Sequence, residues 1–104
     1  MIGRLMTMTA HPGRGGDLAD ILLRVAAGLR GFPGCELYLI SRDASVPDTV
    51  HVTEVWHDEA SAQAALTGEP TADAPRPADV LALLASPPQR TELTVLGGVG
   101  LAAG

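Results

Sequence analysis

The chain has 104 residues, enough for one compact domain with a single core and too few for a catalytic domain beside a separate binding domain. Seven Arg and no Lys stand against 12 acidic residues, a net charge of −5 that argues against a nucleic-acid partner, and no apolar run approaches the roughly 20 residues that cross a bilayer. One cysteine permits neither an internal disulfide nor a thiolate metal cage, and with aromatics at 3% the core must come from Ala, Leu, Val and Ile, so a soluble cytoplasmic domain is expected.

Ile2 to Ala10 alternates loosely and runs into a Pro-Gly turn, which predicts a first strand. From Asp17 to Arg30 the apolar residues Leu18, Ile21, Leu22, Val25 and Leu29 recur at helical spacing, with Asp17 and Asp20 in the first turn and Gly31 as the stop. Cys35 to Arg42 and Thr49 to His57 read as two strands joined by the turn-forming segment DASVPD, an antiparallel hairpin. Asp58 is the candidate N-cap of a short Ala-rich helix reaching Leu66. Thr67 to Pro77 is too polar and too rich in proline for core and predicts an exposed loop. Helical spacing resumes over Ala78 to Ala85, Arg90 to Leu96 predicts the last strand, and Gly97 to Gly104 reads as a flexible Gly/Ala tail after a single domain of residues 1–96.

This order is that of an α+β, ferredoxin-like βαββαβ sandwich. The second and third strands carry apolar residues on both alternating sets, so the sheet face turned away from the helices needs a cover. A second copy packed sheet to sheet supplies it, and a homodimer is expected.

Metal chemistry finds little support. His11, His51 and His57 fit no ligand spacing, and the last two lie about 20 Å apart on a regular strand. Cys35 has no patterned base and reads as a small packed residue. The glycines of HPGRGGD precede a helix but lack the Lys-Ser/Thr of a phosphate loop. Trp56, the single tryptophan, sits at a strand-to-helix junction, where it either fills core or lines a cavity; alternation places Val52, Glu54 and Trp56 on one face, with His51, Thr53, Val55 and His57 on the other.

The segments HPGRGGDLADILL, FPGCELYLISRD and VHVTEVWHDEASAQAAL, in that order and spacing, resemble the antibiotic-biosynthesis monooxygenase family; the likeness covers residues 2–66 and, more loosely, 78–96. The resemblance implies a dimeric α/β barrel with one pocket per subunit between sheet and helices. It also implies oxygenation of a quinol, anthrone or related polycyclic aromatic polyketide in secondary metabolism. Molecular oxygen would be the co-substrate, with no cofactor expected and reduced flavin left open. Two positions depart from the pattern: Val52 stands where some members have Asn, and Ala65 where many have His. Met6 also stands where a haem degrader would have Asn, which opposes haem degradation. The expected pocket is therefore apolar, built from Met6, Met8, Val52, Trp56 and Leu66. Trp56 is the orienting wall or hydrogen-bond donor, His51 or His57 the candidate base, and Arg76 and Arg90 the electrostatic partners of a developing anion. The rival readings are a polyketide cyclase or ring-rearranging enzyme on the same fold and a non-catalytic dimer that binds aromatic ligands.

Overall fold

The computed structural model describes residues 1–67 and 75–101, in the order β1 (Ile2–Thr9), α1 (Gly15–Gly28), β2 (Cys35–Arg42), β3 (Thr49–Trp56), α2 (Glu59–Thr67), α3 (Pro77–Leu81) and β4 (Gln89–Thr94). Most of the expected Thr67–Pro77 loop, residues 68–74, and the end of the expected tail, 102–104, lie outside the described residues. The strands form one antiparallel sheet in the order β2-β3-β1-β4, and the helices cover one face of it. This is the α+β, ferredoxin-like arrangement expected from the sequence. Leu18 and Leu22 of α1 pack on Met8, Val50 and Val52, and four of these five are at most 2% exposed. Each such apolar side chain contributes about 1.5–3 kcal/mol relative to leaving it in water.

Element ends differ from the sequence pattern where distant groups intervene. α1 begins at Gly15 rather than Asp17 because its cap comes from the β2–β3 loop: Asp48 accepts the N–H of Gly13 at 3.1 Å and that of Gly15 at 3.0 Å. A Cβ on Gly15 would run into the Pro47 carbonyl and come within 2.6 Å of the Asp48 Cα, so only glycine fits there. α1 ends at Gly28 rather than Arg30, and Gly31, at φ +77°, turns the chain. At α2, Asp58 caps as expected: it accepts the Ser61 N–H at 2.8 Å and the Ser61 hydroxyl at 2.7 Å, and these bonds lower its pKa. α3 stops at Leu81 instead of Ala85, since Leu84 leaves the helix to bridge Ala10 while Ala85 donates its N–H to the Thr9 carbonyl. β4 runs over Gln89–Thr94 rather than Arg90–Leu96.

Strand register sorts the side chains by face. Met6, Met8, Tyr38, Ile40, Val52, Glu54 and Trp56 share the helix side. The opposite side carries Leu5, Leu37, Leu39, Thr53, Val55 and Leu93, and of these Leu5 is 43% and Leu39 49% exposed in the single chain.

Candidate active site

One lateral row on the helix side is polar across all four strands. Tyr38, Glu54, Arg4 and Glu92 are register partners, one from each strand. Arg4, 5% exposed, pairs through Nη2 with Glu59 of α2 at 2.9 Å and lies 3.5 Å from Glu92 through Nε. The Nε itself makes no hydrogen bond among the described residues. Glu54 is buried beside it and accepts the indole N–H of Trp56 at 3.0 Å. Trp56 packs edge-on against Phe32, ring centroids 6.3 Å apart and planes at 85°.

Next to this row, between the sheet and the C-terminal half of α1, lies a cavity of about 620 Å³. Met6 and Met8 of β1, Leu22, Val25 and Leu29 from and just beyond α1, Phe32, Ala65 and Leu66 at the end of α2, and Val80 and Leu81 of α3 make its apolar wall. Its polar side chains are Tyr38, Arg24 and Arg76. The volume falls within the range of small-molecule sites. Burial, reinforced by the negative charge of Glu54, pushes the Tyr38 phenol well above its usual pKa, so it is a neutral donor at any ordinary pH. A second hollow of about 340 Å³, at the other side of the α1 C-terminal end, shares Tyr38 and is bordered by Cys35. Burial, with Glu54 and Glu36 adding, raises the Cys35 thiol above its ordinary pKa, which keeps it from serving as a thiolate at neutral pH.

The residues singled out from sequence separate into two groups. Met6, Met8, Leu66 and Arg76 line the cavity together. Val52 is fully buried beneath α1, and Trp56 stands behind Phe32, so neither is part of the described wall. His51 lies on the opposite sheet face, its Nδ1 3.2 Å from Thr7 Oγ1 and its Nε2 2.9 Å from Asp43 Oδ2. That contact, with the N–H groups of Ser45 and Val46, lowers the Asp43 carboxyl to about 2. His57 is exposed at the mouth of α2, and Arg90, opposite Met6 on β4, is ion-paired to Glu92. Tyr38, Phe32 and Arg24 are the cavity residues that strand parity and helical spacing did not single out; a lone tyrosine on the helix-facing parity of β2 was the available signal. Among the described residues no three His, Cys, Asp or Glu side chains assemble as a metal site, and no helix is long and apolar enough to cross a membrane.

The family model for antibiotic biosynthesis monooxygenase matches residues 1–74. Among solved structures, the chain is similar to a Chloroflexus aurantiacus protein named provisionally as an antibiotic biosynthesis monooxygenase, at 32% identity and TM-score 0.82, over 97% of this chain and 98% of that one. It is also similar to a Nitrosomonas europaea protein of unknown function at 28% identity and TM-score 0.78, covering 99% and 95% of the two chains. A Deinococcus radiodurans structure, 24% identical with TM-score 0.76 over 97% and 98%, shares the fold. No curated protein matches the sequence.

Proposed function

The chain belongs to the antibiotic biosynthesis monooxygenase family, and on that premise we propose that it oxygenates a quinol, anthrone or related polycyclic aromatic with molecular oxygen, without a bound flavin or metal. The observation that carries this reading is the apolar cavity of about 620 Å³ with one neutral phenol, Tyr38, in its wall.

Such a cavity suits a substrate that supplies its own electrons. Met6, Met8, Leu29 and Phe32 hold the rings and exclude water, while Tyr38 donates to the ring carbonyl as it becomes an enolate oxygen. The proton lost from the ring methylene passes to a base at the mouth, and Arg76 favours the anion left behind. The carbanion gives up its electrons to oxygen and a carbon–oxygen bond forms. The resulting hydroperoxide loses water to leave a quinone: one oxygen atom ends in the product and the other in water.

Oxygen uptake with a chromophoric anthrone is the test, run with and without added flavin. We expect uptake that does not depend on flavin and falls roughly 100- to 1,000-fold in kcat for Tyr38→Phe, the cost of one donor to a developing oxyanion. Substrate conversion without oxygen consumption would instead identify a cyclase, and saturable binding with no product a carrier. The uncovered sheet face bearing Leu5, Leu39 and Leu93 supports a homodimer. Light scattering is expected to give twice the chain mass for the wild type and the monomer mass for Leu39→Asp; a wild-type monomer would remove the dimer.

A further inference from the structure

The two methionines of the cavity wall carry a chemistry that holding a ring does not use. Met6 and Met8 line the cavity, whereas Met1, the third methionine of the chain, is outside the described wall. Met8 is 7% exposed and packed into the core with Leu18 and Leu22, but Met6 is only partly buried at the margin of that core. Strand register sets Met6 across the floor from Tyr38. Tyr38 is in line with Glu54 and Arg4, and Met6 with Val52 and Ile40 in the next row, so the two backbones lie about 12 Å apart, two strand spacings sideways and one pleat repeat along. A flat aromatic whose carbonyl oxygen is held by Tyr38 therefore extends toward Met6, with the ring carbon opposite that carbonyl on the thioether side of the cavity. Cys35, the single thiol, borders the second hollow instead.

We infer that Met6 is a modification site, its thioether taking one oxygen atom from an organic hydroperoxide bound in the cavity. The source of that hydroperoxide rests on the proposed oxygenase reading; the site rests on the wall alone. The sulfur attacks the outer peroxide oxygen. A sulfur–oxygen bond forms as the oxygen–oxygen bond breaks, the inner oxygen takes up the proton, and an alcohol leaves. The thioether is oxidised by one electron pair and the peroxide is reduced by it. The sulfoxide that results is a polar, chiral group in an apolar wall, and it is open to enzymatic reduction back to the thioether.

The full chain is incubated with cumene hydroperoxide, a small aromatic hydroperoxide, and digested with trypsin, which cuts after Arg4 and Arg14 and so separates Met1 from Met6 and Met8. Fragment mass spectrometry then assigns each added oxygen to its sulfur. Met6 is expected to gain oxygen roughly tenfold faster than Met1 or Met8, because the cavity raises the local concentration of the aromatic oxidant at an accessible thioether. Anthraquinone, flat and unreactive toward thioethers, should cancel that preference by filling the cavity. In Met6→Leu, a change that conserves volume, the preferred mark should vanish. Equal rates at Met6 and Met1, a preference that anthraquinone leaves intact, or transfer of the mark to Met8 at the same rate in Met6→Leu overturns the inference. Oxygen uptake with anthrone, read in parallel, separates the two claims. Uptake that leaves Met6 unoxidised defeats the Met6 site and leaves the oxygenase standing; a Met6 preference with cumene hydroperoxide but no uptake defeats the oxygenase and leaves the site.

Discussion

Trp56→Phe distinguishes a residue that touches substrate from one that braces the cavity from behind. Trp56 is 2% exposed, donates to the buried Glu54 carboxylate at 3.0 Å and meets Phe32 edge-on. Phenylalanine keeps an aromatic ring against Phe32 but removes the donor. The lost charge-assisted hydrogen bond costs about 1.5–3 kcal/mol and the smaller ring about 1 kcal/mol more, for a total of roughly 3 kcal/mol. In a Glu54→Gln background the bond being lost is between neutral partners, so the same substitution should cost only about 1.5–2 kcal/mol. Urea unfolding followed by far-UV circular dichroism measures both values without relying on tryptophan emission. Oxygen uptake by the folded single variant should stay within about threefold of the wild type, because the indole is outside the described cavity wall. Equal costs in the two backgrounds would show that the Glu54 charge adds nothing to its bond with Trp56. Collapse of turnover in a protein that remains folded would place Trp56 at the reacting surface after all.

Two adjacent glycines should respond in opposite directions. Gly15→Ala forces the Pro47–Asp48 backbone away from the start of α1 and is expected to cost about 2–3 kcal/mol, whereas Gly16→Ala, with nothing within 4 Å of its added methyl, should stabilise the helix by about 0.5–1 kcal/mol; thermal midpoints that move the same way for both would refute the packing argument. The Asp43 carboxyl has a folded pKa of about 2, below its unfolded value of about 3.9, so its stabilising effect is full above the unfolded value and is lost as pH falls through the folded one. The difference in thermal midpoint between wild type and Asp43→Asn should therefore narrow between about pH 5 and pH 2, and a gap that is constant with pH would count against the His51 contact as its source.

The alternation of apolar residues and the turn signals were enough to order the strands and helices, because each rests on neighbours within a few residues in sequence. The element ends that moved are those set from far away. Asp48 caps α1 from 33 positions along the chain, and Leu84 is drawn off α3 by a bridge to Ala10. Nothing in a helical window around Gly15 or Leu84 carries that information. The pocket likewise depends on more than strand parity. Parity places Val52 and Trp56 on the helix side, but a side chain on that face can be covered by a helix or can border empty space, and the choice depends on where along the strand each helix lies.

That distinction accounts for the site as well. α1 crosses the sheet so that Leu18 and Leu22 seal Val50 and Val52, and Phe32, just after the helix, closes over Trp56. The uncovered ground is left between these two seals, over Met6, Met8 and Tyr38. The polar row Tyr38–Glu54–Arg4–Glu92 then sets the character of the floor, since only its β2 member reaches the cavity, while Glu54 and Arg4 remain committed to Trp56 and Glu59 beneath the helices. A carboxylate placed at the Tyr38 position instead would bring a base into the cavity but would also set a negative charge beside Glu54, and like charges facing across a strand pair destabilise it. A phenol held neutral meets the two demands together: burial, with the Glu54 charge adding, keeps it protonated beside that carboxylate, and it presents a donor to the oxygen that becomes negative during the reaction.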